Sequence, residues 1–133
     1  PISVVSMTRS VLCLISKDEV KLLMDTNPIL LDTLIDWYSS DYMYLYSKIS
    51  NLSTRNSHGK LATALLYLAD EQFKDTNIFE LVSRKDLADL ASISLESTNK
   101  ILQELKNERI IEIENRNIQV VKPKLLHTLS MIG

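Results

Sequence analysis

Glu96, Asn99, Lys100 and Gln103 lie within eight positions of one another, in the stretch LESTNKILQEL. At helical spacing they share one face, and Leu95 stands at its start. A carboxylate accepts hydrogen bonds, an ammonium donates them, and the two carboxamides do both. That set suits the exposed edges of nucleic-acid bases, and Lys100 can also hold a phosphate. An ordinary solvated helix face has a similar composition, so the elements around these residues must decide.

Those elements have a definite pattern. From Ser83 to Lys106 the chain reads SRKDLADLASISLESTNKILQELK. The spacing predicts a short helix over 84–91, a tight turn at Ser92 and Ile93, and a second helix from about Ser94. Leu87, Ala91, Ile93, Thr98, Ile101 and Leu105 fall where two crossing helices bury a shared face, and Ala88 is small where they approach closely. Ser83 with Asp86 makes a capping-box-like pair. Ser94 is a second N-cap, with Glu96 and Ser97 in a first turn that favours acidic groups. This is a helix-turn-helix. It projects the polar face of its second helix outward, where a DNA major groove can receive it.

The next segment, IIEIENRNIQVV, alternates Ile111 and Ile113 with Glu112 and Glu114, then places Ile118 and Val120 around Gln119. Joined through Asn115 and Arg116, the two runs predict a β-hairpin, because Asn tolerates the positive φ of a tight turn. A hairpin directly after the second helix is a wing. Ile78–Leu81 is expected to add a short third strand, so residues 57–122 form a winged helix-turn-helix. Arg116 at the wing tip is a candidate phosphate contact, with a solvated turn residue as the alternative.

A chain of 133 residues fits one or two small domains, and its 45% apolar and 24% charged content is ordinary for a globular core. Two glycines and three prolines favour helices over long loops. The net charge of −2 offers no global attraction for DNA, so affinity must come from locally clustered Lys and Arg. Cys13 is alone in an apolar run and is expected to be a small buried hydrophobe. Neither His58 nor His127 has a second ligand at metal spacing. The residues contain no phosphate loop, paired-carboxylate site or nucleophile elbow, so an enzyme is not expected. No apolar run is long enough for a membrane and no signal peptide is seen, which points to a reducing cytoplasm.

The first half of the chain supplies the means of assembly. Pro28 suits the start of a helix after Thr26 and Asn27, and no Gly or Pro interrupts the chain to Ser53. Leu31, Ile35, Tyr38, Tyr42, Leu45, Ile49 and Leu52 recur alternately four and three residues apart, the seam of a coiled coil. Leu30, Leu34 and Trp37 form a second apolar flank. One seam and one flank require two covering surfaces, which favours a homodimer over a helix buried in a monomer. Ile2–Val5 and Val11–Ile15 are β-rich runs, and Ser16 caps a small helix from Lys17 to about Asp25. Two strands alone make no stable sheet, so these residues are expected to end a larger β domain. The expected organisation is mainly α with small β. Residues 1–27 are the remnant of a β-roll sensor, 28–53 a long dimerisation helix and 54–133 the winged helix-turn-helix.

This order, together with VLCLISKDEVKLLMDTNP, GKLATALLYLAD, the helix-turn-helix and ERIIEIENRNIQVV, resembles the C-terminal two-thirds of bacterial Crp/Fnr-type transcription regulators, the cyclic-AMP receptor protein superfamily. The resemblance spans the chain and is strongest over 59–121. It implies a homodimer that binds a palindromic operator in double-stranded DNA, activates or represses promoters, and has RNA polymerase among its partners. It further implies an N-terminal sensor for a ligand, gas or redox state. Glu96 matches the family's recognition-helix glutamate, which accepts a hydrogen bond from a base amino group. Lys100 stands where the family prefers a guanine-reading arginine, keeping the charge and losing the two-pronged fork. Leu95 replaces a frequent polar or basic reader and could touch a thymine methyl. Ser92 stands where glycine is common in the turn. The family's cyclic-nucleotide cassette would lie upstream of Pro1, so no cofactor is assigned to this chain and the effector is not named. The candidate DNA-contacting residues are Arg84, Lys85, Ser94, Leu95, Glu96, Ser97, Asn99, Lys100, Gln103 and Arg116. A winged helix that binds a protein instead of DNA is the alternative.

Overall fold

The computed structural model describes residues 3–73 and 75–132, apart from the side chains of residues 48 and 51–54. The chain is mainly helical with one small sheet and divides into two units, residues 1–49 and 50–133. In the first unit, the Ser16 hydroxyl accepts from the Glu19 N–H at 3.2 Å while the Glu19 carboxylate accepts from the Ser16 N–H at 3.0 Å, and this capping box starts α1 (Lys17–Thr26). Asn27 separates α1 from α2 (Pro28–Thr54), its side-chain oxygen accepting from the Leu30 N–H at 3.2 Å with Pro28 at the first helical position. At 27 residues, α2 is about 40 Å long.

Two expectations fail in this unit. Residues 3–15 form no strand, and Ile2 lies outside the described residues. A strand needs a neighbour for its backbone groups, and these two short runs do not pair with each other. Cys13 is exposed rather than buried, because Val11, Leu12, Leu14 and Ile15 around it are themselves uncovered.

The second unit is built around α3 (Ser57–Leu68). Asn56 caps it by accepting from the His58 and Gly59 N–H groups, and Leu61, Ala62 and Leu65 are fully enclosed. A short 3₁₀ turn follows at Glu71–Phe73, where the Phe73 ring meets Tyr67 edge-on at 5.5 Å. Ile78–Leu81, expected as a strand, is instead a single helical turn, α4, closed by the Val82 N–H on the Ile78 carbonyl at 3.0 Å. Ile78 and Phe79 still pack on the core from this turn, so burial of two adjacent apolar residues does not require a strand. Helices α5 (Arg84–Ala91) and α6 (Leu95–Asn107) follow. β1 (Ile111–Glu114) and β2 (Asn117–Val120) then pair antiparallel, and α7 (Pro123–Ile132) packs back onto α3.

Between α5 and α6, Ser92 adopts the left-handed conformation at φ 54° and ψ 47°. The Ser92 N–H then reaches the Asp89 carbonyl at 3.1 Å and the Ile93 N–H the Ala88 carbonyl at 3.0 Å, a Schellman closure. A Cβ in that region is strained and glycine is not. Ser92→Gly should therefore stabilise the second unit by about 0.5–1 kcal/mol, read as a higher urea midpoint at unchanged slope. An unchanged or lower midpoint would show that the turn carries no such strain.

Candidate nucleic-acid interface

The interface candidate begins with how α5 and α6 are held. The Ser83 hydroxyl accepts from the Asp86 N–H at 3.1 Å, and Asp86 accepts from the Ser83 N–H at 2.8 Å. These bonds, with Ser83 Oγ also donating to Asp86 at 2.6 Å, hold the Asp86 carboxyl below its ordinary pKa. Leu87, Ala88 and Ala91 of α5 and Thr98, Ile101 and Leu105 of α6 are buried, while Ile93 of the turn is partly buried against the same core. Leu102, not included in the expected shared face, is buried as well. Thr98 satisfies its hydroxyl on the Ser94 carbonyl at 3.0 Å. α5 and α6 thus share a face that aims the remaining side of α6 at solvent.

That remaining side carries the expected residues. Ser94 caps α6 by accepting from the Ser97 N–H, and its hydroxyl meets the Ser97 hydroxyl at 2.9 Å. Leu95, Glu96, Asn99, Lys100 and Gln103 are all exposed, and Ser97 is partly covered. Gln103 donates from Nε2 to Asn107 Oδ1 at 3.0 Å, so its amide is already engaged along the helix. Lys85 is exposed on α5.

Arg84 and Arg116 are distant in sequence but line one hollow, with Glu80, Leu81, Val82, Ser83 and Asn115. The wing brings them together. Ile111 pairs with Val120 and Ile113 with Ile118 on the face toward the core, while Glu112 pairs with Gln119 and Glu114 with Asn117 on the exposed face. Asn115 takes φ 56°, the positive value expected for the turn, and Arg116 follows it exposed. Partial burial lowers the Arg84 guanidinium below the ordinary arginine range. No ion pair among the described residues involves Arg84. A partly desolvated cation beside a second arginine is suited to an anion such as phosphate.

The back of α6 is tied down by a contact that sequence reasoning missed. His58 Nε2 and Glu104 Oε2 are 2.8 Å apart, joining the first turn of α3 to α6. No local signal reveals it, because the partners are 46 positions apart. In the first unit, the described seam side chains are uncovered, with Leu31 37%, Tyr38 71%, Tyr42 69% and Ile49 67% exposed. The Leu52 side chain lies outside the described ones. Leu30 and Leu34 of the second flank are partly buried, whereas Trp37 is exposed with its ring 6.0 Å from Tyr38. Among the described residues, no helix is long and apolar enough to cross a membrane and no group of His, Cys, Asp and Glu could hold a metal ion.

Comparison with known proteins bears on residues 59–129, which match the Crp-like helix-turn-helix domain. The fold is similar to that of FixK2 from Bradyrhizobium japonicum, with a TM-score of 0.76 and 16% identity over 90% of this chain and 61% of that one. It is also similar to TTHA1359, a CRP/FNR-family transcriptional regulator from Thermus thermophilus, with a TM-score of 0.67 and 24% identity over 79% of this chain and 56% of that one. This chain therefore spans less than two-thirds of either protein. No curated protein matches its sequence.

Proposed function

Because the chain belongs to the family of Crp-like helix-turn-helix domains, we propose that it is the DNA-reading part of a transcription regulator that binds a palindromic operator as a homodimer. The observation that carries this reading is the exposed row on α6, held outward by a capped helix-turn-helix whose first helix begins at the Arg84–Arg116 hollow. In this reading Glu96, Asn99, Lys100 and Gln103 meet base edges. Arg84, Lys85, Lys100 and Arg116 hold phosphates, and the Ser94 and Ser97 hydroxyls lie at the groove entrance.

Two copies pair along Leu31–Leu52, which accounts for an apolar seam left uncovered in one chain. Each α6 then enters a major groove ~34 Å from its partner, one helical turn of DNA. Residues 1–27 end a β-roll sensor, 28–53 are the dimer helix and 54–133 the reader. The sensor tilts the dimer helices and so sets the spacing of the readers. The setting is cytoplasmic, the complex recruits or blocks RNA polymerase, and no catalytic step is involved.

The test is selection from a randomised duplex pool, followed by binding of the enriched duplex at several salt concentrations. Enrichment of a palindrome with half-sites about 10 base pairs apart supports the reading. Arg84→Ala should weaken all sequences alike and reduce the salt slope by about one, while Glu96→Ala should relax base preference. An Arg84→Ala variant with unchanged affinity and salt slope removes Arg84 from the interface. No enrichment with a flat salt dependence favours a protein-binding winged helix, for which the exposed Glu112 and Glu114 of the wing would be the contact face.

A further inference from the structure

Glu96, Lys100 and Glu104 follow one another at intervals of four and so form one row along α6. Lys100 therefore stands between two carboxylates, one a turn before it and one a turn after. Each of them attracts its ammonium along the helix surface. A row with two acids to one base is badly matched to DNA, whose phosphates repel the acids and must compete with them for the cation.

The fold removes Glu104 from that competition. Glu104 Oε2 lies 2.8 Å from His58 Nε2, and the two side chains are each less than half exposed. A carboxylate only accepts hydrogen bonds, so Nε2 is the donor. Both partners sit on fixed backbone. The His58 N–H donates to Asn56 Oδ1 at 2.9 Å in the first turn of α3, and Ile101 and Leu105 on either side of Glu104 are buried. Lys100 is exposed and, among the described residues, enters no ion pair. Resting on the DNA-binding reading above, we propose that His58 is a positioning residue for the interface: by holding Glu104 it leaves Lys100 free to bind a DNA phosphate. Glu96, the other neighbour of Lys100, is committed to a base edge in that reading.

The test is binding of the operator enriched from the pool, at several salt concentrations, by the 133-residue chain and its variants. His58→Ala releases Glu104 toward Lys100. Operator affinity should fall by about tenfold and the salt slope by about two, one phosphate contact in each half-site. Glu104→Gln removes the competing charge, so it should bind at least as tightly as the wild type and should restore His58→Ala to wild-type affinity. His58→Gln, whose carboxamide can still donate to Glu104, should bind nearly as well as the wild type. In a Lys100→Ala background the His58→Ala substitution should have no further effect, because the two act through one contact. A pair that only braced α6 against α3 would behave differently, since Glu104→Gln cannot repair a brace already lost with His58. Failure of that rescue, a His58→Ala loss that persists in full without Lys100, or an unchanged affinity and salt slope in His58→Ala overturns the role of His58 and leaves the regulator reading intact. A pool that enriches no sequence overturns the regulator reading, and this assignment with it.

Discussion

Leu65→Ala is expected to destabilise the second unit by about 3 kcal/mol, within the range for truncating a well-packed leucine. Leu65 is fully enclosed in α3, and α3 packs against α5, α6 and α7. Removing its branched end leaves a cavity in the core that α3 shares with α5, α6 and α7. The measurement is native-state amide exchange on α3 and α6. Trp37 belongs to the first unit, so tryptophan fluorescence does not report directly on this core. Protection should fall by roughly a hundredfold, the equivalent of that free energy. A loss below about 1 kcal/mol would mean that the helices collapse onto the space, and that α3 does not set the angle of the reading helix.

Charging the seam should have the largest effect on binding. Ile35 and Leu45 are 54% and 56% exposed, and both stand in the heptad row of α2. In the proposed homodimer, Ile35→Glu with Leu45→Glu would bring like charges together between two helices without leaving room for water. The double variant should sediment as a monomer. Its affinity for the palindromic operator should fall by about 10²–10⁴, the avidity gained when a second half-site is bound within one molecule. Affinity for an isolated half-site should be unchanged, because both substitutions lie in the first unit and α6 belongs to the second. A double variant that stays dimeric would place the dimer contact elsewhere. A monomer that keeps its operator affinity would show that the two reading helices act independently.

The parts of the interface that were legible in the sequence are those governed by local rules. Ser83 with Asp86, Ser94, the α5–α6 spacing and the Asn115 turn each depend on residues within one or two turns of chain, and all are found as expected. The start of α2 is equally local, with Asn27 and Pro28 setting it. The failures are failures of the same locality. Val11–Ile15 has β-forming residues, yet a strand forms only beside a partner. Ile78–Leu81 has strand-like composition, but a single helical turn packs Ile78 and Phe79, partly buried, against the core. α7 follows the wing without having been anticipated, and it supplies a wall of the core.

The sequence by itself therefore determined the helix-turn-helix, the wing and the row of polar groups on α6, because caps, turns and periodicity act over a few residues. Only the tertiary structure decided which distant groups meet. Folding of the wing against α4 and α6 places Arg116 with Arg84 in the lining of one hollow. Packing of α3 behind α6 joins His58 to Glu104. Burial of the other large apolar side chains described in the motif leaves Leu95 as its apolar point in solvent. These are consequences of long-range packing, in which burying the common core fixes what each remaining side chain can reach.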